Sequence, residues 1–338
     1  MAVEQQIIIG ESPAFLEVIE QTSRAASHDR SVLVIGKRGT GKELIASRLH
    51  FLAPRWEQNF VQVNCAALPD TLLESELFGH EAGSFTGATG KRIGRFEEAN
   101  GGTLFLDEIA STSHAAQKKI LRVTEYGTLQ RVGSNKTLET DVRLIGATNI
   151  DLPSAADRGD FRHDLLDRLA LDVITLPPLR ERRSDIMLLA FHFGQKIAQE
   201  RHWTSFPGFS GEMNEKLMDY SWPGNIRELK NVIERAVYYA DIEFEAINSI
   251  IIDPFKSPFR PTARLNISVD APVTTPETIE KAPKGPGDFQ NRVEEYEKEL
   301  LLDALRSNKY NQKKAAEYLS LSYHQFRHQL KKHDLQST

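Results

Sequence analysis

The chain has 338 residues, 40% hydrophobic and 26% charged, with a formal net charge of −5 and one cysteine, Cys65. That length points to more than one domain, and no apolar run is long enough to span a bilayer. The start MAVEQQIIIG lacks the basic and apolar regions of a secretory leader, and one cysteine cannot form an internal disulfide, so a cytoplasmic protein is expected.

The charge is uneven. Residues 306–333 carry seven Lys or Arg and one acid, Glu317, so this tail is +6 and the remainder −11. A basic end on an acidic body points to nucleic-acid binding confined to that end.

Apolar runs at Ser31–Ile35, Phe60–Val63, Thr103–Leu106, Val142–Ala147 and Val173–Leu176 read as buried strands. Helical stretches such as Lys42–Phe51 and Ala115–Tyr126 fall between them. This alternation predicts an α/β domain with a parallel sheet over 1–176. Residues 183–239 read as helices only, which predicts an all-helical subdomain over 177–250. In SWPGNIRELKNVIERAVYYA, Pro223 stands near a helix start, and Ile226, Leu229, Val232, Ile233, Ala236 and Val237 form an apolar face. Seven prolines between 253 and 288 predict an extended linker over 251–290. Helical periodicity returns at Asn291 and marks a last domain, 291–338.

The first strand runs into Gly36-Lys37-Arg38-Gly39-Thr40-Gly41-Lys42 and then a helix, the context a phosphate-binding loop needs. Its N–H groups and the helix N-terminus can cradle phosphates, and Lys42 can reach the β- and γ-phosphates. Glu43 stands where a Ser or Thr would hold Mg²⁺, so the metal needs water and another acid. The strand Thr103–Leu106 delivers Asp107 and Glu108: Asp107 to hold Mg²⁺, Glu108 to orient the attacking water. Asn149, ending another strand, can read the γ-phosphate, and Asn64 can hold Glu108 when nucleotide is absent. Arg162 or Arg168 can act in trans on a neighbour's phosphates, and Arg227 is a further phosphate contact. ATP with Mg²⁺ is the expected cofactor pair.

GHEAGSFTGATGKR, residues 79–92, places Phe85 between Gly83 and Gly87. Either the ring is held out on a surface loop for a partner, or it folds back into the core. Trp56 raises the same choice. At the C-terminus, Ala315, Ala316, Leu319, Leu321, Phe326 and Leu330 can pack two helices joined at SLS, with Ser322 as a cap. The outward face of the second helix carries Tyr323, His324, Arg327, His328 and Lys331. With Lys313 and Lys314 it makes a candidate DNA surface, in which a helix-turn-helix lays its second helix in the major groove. Val293, Tyr296, Leu300 and Ala304 are expected to pair with a second subunit.

Six motifs in order, GKRGTGKELIASRLH, ELFGHEAGSFTGA, GGTLFLDEI, FRHDLLDRL, LPPLRERRSDI and WPGNIRELKNVIERAV, cover about residues 7–240. Together they resemble the AAA+ domain of bacterial enhancer-binding proteins, the activators of sigma-54 RNA polymerase, and the C-terminal end resembles that family's Fis-type module. The resemblance implies a P-loop NTPase with a helical lid, a hexamer, and enhancer DNA as a partner. It implies that Gly83, Ser84, Phe85, Thr86, Gly87 and Ala88 contact the sigma factor, Ser84 standing where the family has alanine. Glu43 fits this family, whose loop reads Gly-Lys-Glu. The pattern begins almost at once in the chain, so control is expected from a negative regulator acting in trans, a peripheral-membrane protein for which Trp56 is a candidate contact. Two other readings compete: a different AAA+ machine, against which stand the 83–88 loop and the helix-turn-helix, and a DNA-binding repressor with a vestigial nucleotide site.

Overall fold

The computed structural model describes residues 8–85, 88, 90–240, 245–256, 289–308, 311–319, 321–333 and 335. They fall into two compact units, one within 1–260 and one within 261–338.

In the first unit, α1 (Pro13–Ala26) leads into β1 (Val32–Ile35), α2 (Lys42–Phe51), β2 (Phe60–Asn64), α3 (Asp70–Phe78), the single turn α4 (Arg95–Glu98) and β3 (Thr103–Asp107). Then follow α5 (His114–Tyr126), the hairpin β4 (Thr128–Gln130) and β5 (Thr137–Glu139), β6 (Arg143–Thr148), α6 (Leu152–Asp157), α7 (His163–Leu169) and β7 (Asp172–Thr175). The five strands other than the hairpin form a parallel sheet in the order β2-β3-β6-β1-β7. Both faces are covered. Leu33, Leu104, Leu106 and Leu144 pack toward α3 and α5, whereas Val32, Val34, Phe105 and Ile145 pack toward α1 and α2. The alternation follows from the two-residue period of a strand, and burial on both sides explains the continuous apolar runs.

Arg143 opens β6 and is 1% exposed. It donates to the carbonyls of Ala25 at 2.7 Å, Leu49 at 3.1 Å and Arg30 at 3.3 Å. One guanidinium thus serves the C-terminal ends of α1 and α2, where carbonyls lack partners within the helix and the dipole is negative. Burial pulls the Arg143 pKa down, and Asp29 partly opposes this.

The lid follows as α8 (Arg183–Glu200), α9 (Gly211–Asp219) and α10 (Asn225–Tyr238) around a core of Leu189, Met213, Trp222, Leu229 and Ile233. The Trp222 indole N–H donates to the Leu217 carbonyl at 2.9 Å, satisfying the one polar atom of a buried ring. A buried ion pair joins the lid to the N-terminal segment. Asp185, fully buried, accepts from Glu11 N at 2.7 Å, Ser12 N at 2.8 Å, the Ser12 hydroxyl at 2.7 Å and Arg182 Nε at 2.8 Å. The Arg182 guanidinium also lies over the Phe15 ring at 3.6 Å. Burial alone would raise the Asp185 pKa, but these donors hold it below the ordinary carboxylate value.

The second unit comprises α11 (Phe289–Ser307), α12 (Gln312–Tyr318) and α13 (Tyr323–Lys332). Leu301, Ala304, Leu305, Ala315, Ala316, Phe326 and Leu330 form its core, with Leu319 and Leu321 against it. Ser322 caps α13 with Gln325 in a capping box. The expectation that Ala304 pairs with a second subunit is corrected: it is fully buried, while Tyr296 and Leu300 are exposed. Four-residue steps drift around a helix, and the eight from 296 to 304 turn it about 80° past two full turns. The side chain of Val293 and residues 257–288 of the expected linker lie outside the described residues.

Replacing Asp185 by alanine strands a buried arginine. It is expected to destabilise the first unit by about 3–5 kcal/mol, read as a lower urea midpoint. Because the folded-state pKa of Asp185 is lowered, its contribution is present above the ordinary carboxylate value and lost as pH falls through the lowered one. The wild type should therefore lose more stability on acidification than Asp185→Ala does, and parallel pH profiles would refute the assignment.

Candidate functional site

The sheet gathers its polar residues at the C-terminal ends of the strands. Ile35 pairs with Thr148 across β1 and β6, and Asn64 with Asp107 across β2 and β3. Past β1 the loop 36–41 turns into α2. Gly39 (φ 76°) and Gly41 (φ 97°) occupy the left-handed region, which glycine enters without penalty. Gly36 N donates to the Thr148 carbonyl at 3.1 Å, and the Thr40 hydroxyl to the Lys37 carbonyl at 2.8 Å. Lys42 is buried, and its Nζ donates to the Gly36 carbonyl at 3.1 Å. The same Nζ lies 4.0 Å from Glu108 Oε1. Glu43 and Lys37 are exposed.

Asp107 ends β3, and Glu108 follows with φ 51°, a costly conformation for a residue with a side chain. The Asn149 amide satisfies both neighbours in one orientation. Its nitrogen then donates to Glu108 Oε2 at 3.1 Å, and its oxygen accepts from Arg38 Nε at 3.1 Å. Asn64, expected to hold Glu108 when nucleotide is absent, is engaged locally in this structure. The Asn64 amide oxygen closes a turn by accepting from Ala66 N at 2.9 Å, and Glu108 is held by Asn149 beside Lys42. A turn of this kind is local chemistry open to any asparagine at a strand end. Next to Asn64, Cys65 is buried and its thiol is pushed up to about 12, chiefly by burial.

The lid closes the other side. Ile226 N donates to the Gly39 carbonyl at 2.9 Å, and Asn225 Nδ2 to the Arg38 carbonyl at 2.9 Å. Asn225, buried with φ 54°, also accepts from Leu179 N at 2.9 Å. Sequence reading passed over Asn225. Its signal was an asparagine straight after Pro-Gly, a residue suited to the left-handed region. Arg227 is exposed on the same turn, its Cβ beside Gly39. Between lid and loop lies an apolar cleft lined by Ile8, Ile9, Phe15, Leu44, His192 and Ile226. Thr40 and Gly41 of the phosphate loop line it as well. Burial lowers the His192 pKa, with Lys196 adding to it.

The two candidate trans arginines are engaged within their own chain. Arg162 pairs with Asp164 through Nη2 at 2.5 Å, and Arg168 donates twice to the Thr124 carbonyl at 3.0 Å. Arg168 is exposed.

Phe85 takes neither extreme foreseen for it. It is 39% exposed, with its ring edge-on to His80 at 5.0 Å. Gly83 N donates to the Ala88 carbonyl at 2.8 Å, closing the loop, and Thr86 and Gly87 lie outside the described residues. The β4–β5 hairpin, unforeseen in the sequence, supports the loop base. Glu81 N donates to the Val132 carbonyl at 3.1 Å, and Arg131 pairs with Glu81 and Glu97. Ser84 packs against Gly133, its hydroxyl shut off from solvent and without a hydrogen-bond partner among the described residues. Trp56 is 53% exposed. On the second unit Lys313, Lys314, Ser322, Tyr323, His324, Arg327, His328 and Lys331 are all exposed.

Known proteins share this arrangement. Residues 8–175 match a family model described as a sigma-54 interaction domain, residues 180–251 an AAA+ ATPase lid domain, and residues 292–333 a bacterial regulatory protein of the Fis family. The Psp operon transcriptional activator of Escherichia coli (strain K12) is 54% identical over 335 residues, spanning 99% of this chain and 100% of that protein. The crystal structure of NtrX from Brucella abortus in complex with ATP aligns with a TM-score of 0.68 at 28% identity, over 97% of this chain and 70% of that one. The same protein in complex with ADP aligns at 0.69 and 28% identity, over 98% and 71%.

The seam between lid and loop yields a direct test. A β-carbon at Gly39 would lie 2.4 Å from the Gly224 carbonyl oxygen. Gly39→Ala is expected to push α10 off the loop and weaken ATP binding by about tenfold or more, measured by calorimetry. Wild-type affinity would show that the seam can open without cost.

Proposed function

The chain belongs to the family of sigma-54-dependent transcriptional activators, and from that premise we propose how its parts divide the work. Residues 1–176 with the lid 177–250 hydrolyse ATP and remodel the sigma-54 holoenzyme from closed to open promoter complex. Residues 291–338 hold the protein on upstream enhancer DNA, and 251–290 link the two. The operon served is the phage-shock (envelope-stress) operon, a reading supported by identity along the whole length of the Psp activator.

The observation that carries the mechanism is the meeting of Lys42, Glu108 and Asn149 at the C-terminal ends of three interior strands, under a lid that donates to the phosphate loop. The adenine base lies in the apolar cleft. The N–H groups of the loop and Lys42 take the phosphates, with Arg227 reaching over from the lid. Asn149 reads the γ-phosphate, and Glu108 orients and polarises the attacking water. Phosphoryl transfer is mostly positioning and charge stabilisation, so residues fixed by backbone and neighbours suit it. Among the described residues no three carboxylate, imidazole or thiol side chains gather as a cage for a metal. Mg²⁺ does not need one, since one or two carboxylates with phosphate oxygens and water suffice, and Asp107 fits that role. When bound, Mg²⁺ neutralises charge building between the β- and γ-phosphates.

Subunits assemble as a ring, a hexamer in this family, and Arg162 or Arg168 leaves its own-chain partner to reach a neighbour's nucleotide. Residues 83–88 carry the work to the sigma factor, with Phe85 as the apolar anchor. Exposed Trp56 is the contact for a negative regulator, phage shock protein A, in the cytoplasm. No helix among the described residues is long and apolar enough to cross a membrane. Tyr323, His324, Arg327, His328 and Lys331 face the major groove, and Lys313 and Lys314 the phosphates.

Two tests follow. Lys42→Ala should abolish ATP binding, whereas Glu108→Gln should bind ATP and stall hydrolysis by at least about a hundredfold, because an amide cannot polarise water as a carboxylate does. Wild-type turnover in Glu108→Gln sinks the catalytic assignment. Separately, Phe85→Ala should keep most ATPase activity and lose capture of the sigma factor in the presence of a transition-state analogue, a cost commonly above about 2 kcal/mol for an aromatic anchor. A collapsed thermal melt instead would mark Phe85 as a core residue.

A further inference from the structure

Arg38 is held from two sides. Its carbonyl accepts from Asn225 of the lid at 2.9 Å, and with the Asn149 amide turned to satisfy both its neighbours, the Arg38 Nε donates to the amide oxygen at 3.1 Å. Asn149 in turn donates to Glu108 at 3.1 Å. Arg38 therefore links the first turn of α10, through its main chain, to Asn149 and the Glu108 carboxylate just past β3, through its side chain.

The two ends of a carboxamide are alike in size and opposite in hydrogen bonding, so a half-turn of Asn149 changes its chemistry with little steric cost. Its nitrogen is the useful end here. A carboxylate and a phosphate oxygen both only accept, and the amide oxygen turned toward either would repel it. Glu108 can select the useful orientation only while it stays bonded to Asn149. A guanidinium donates and cannot accept, so Arg38 Nε tolerates only the amide oxygen, wherever Glu108 points. We propose that Arg38 is a positioning residue for hydrolysis: it locks the Asn149 amide so that the nitrogen faces Glu108 and the phosphate cradle. The proposal rests on the reading of Glu108 as the water-orienting base. It adds a residue that touches neither water nor the scissile bond through its Nε. Arg38 is exposed, so replacing it leaves no cavity.

The test is a cycle of Arg38→Ala, Asn149→Ala and the double variant, with Arg38→Lys beside it, each measured for kcat and for ATP dissociation constant. Arg38→Ala and Arg38→Lys should each lower kcat about tenfold, the worth of one oriented hydrogen bond. Lysine keeps the charge and lacks the Nε, so its ATP affinity should stay within about twofold of wild type. On the Asn149→Ala background, removing Arg38 should cost nothing further in kcat. A role confined to loop structure or to general charge predicts the same loss on both backgrounds. Multiplicative losses in the double variant, wild-type kcat in Arg38→Lys, or loss of ATP binding in Arg38→Lys would each overturn the proposal. Glu108→Gln is measured in the same series. If it turns over normally, the base assignment has failed; if it stalls while the cycle multiplies, only the role of Arg38 has.

Discussion

The contact on which the molecule turns is the approach of two backbones, Gly39 of the phosphate loop and Gly224 ahead of α10. No side chain separates them, and Ile226 N reaches the Gly39 carbonyl directly. Several consequences share this origin. The lid sits where Arg227 can reach over the loop, the apolar cleft has its second wall, and Asn225 comes within reach of the Arg38 carbonyl. Peptide groups have few ways to meet, so a seam made of main chain places two subdomains more closely than long flexible side chains would.

The same unit uses buried charge to hold pieces that the sheet alone does not join. Arg143 ends two helices at once, and the Arg182–Asp185 pair fastens residues 9–12 to the lid. Such pairs are costly to desolvate, and their value depends on every remaining donor and acceptor being met. Asp185 takes four donors, which is how a fully buried carboxylate stays charged. Phe15 under the Arg182 guanidinium also lines the cleft, so the pair shapes the site as well as the fold.

Much of this was legible from residues alone because it is local. The runs Thr103–Leu106 and Val142–Ala147 are buried on both faces and read as strands. Strand, glycine-rich turn and helix around Lys42 can hardly be arranged another way. The groups at the strand ends follow from a parallel sheet, which brings its C-terminal ends together. What escaped the sequence is what depends on distant partners. Asn64 and Asn149 look alike at strand ends, and only the third dimension gives Asn149 the Arg38 and Glu108 neighbours. Nothing near Arg143 or Arg182 in the sequence points to the helix ends and the carboxylate they meet. The hairpin strands β4 and β5 have three residues each, too short for alternation to stand out, and Ala304 drifted from an expected seam because a helix does not repeat every four residues.

Ser84 and Gly133 belong to two loops that the chain makes far apart, yet they cannot drift independently. A β-carbon on Gly133 would fall 2.5 Å from that of Ser84, and Gly133 has φ 78°. Position 133 can grow only if position 84 shrinks to glycine or the loop carrying Phe85 moves outward. Position 84 is meanwhile under mild pressure of its own, since its buried hydroxyl has no partner among the described residues, and such a hydroxyl costs about 1–3 kcal/mol where a methyl group costs none of it. A substitution in the hairpin would resurface as a change in the reach of the loop that carries Phe85, although the hairpin is no part of that loop.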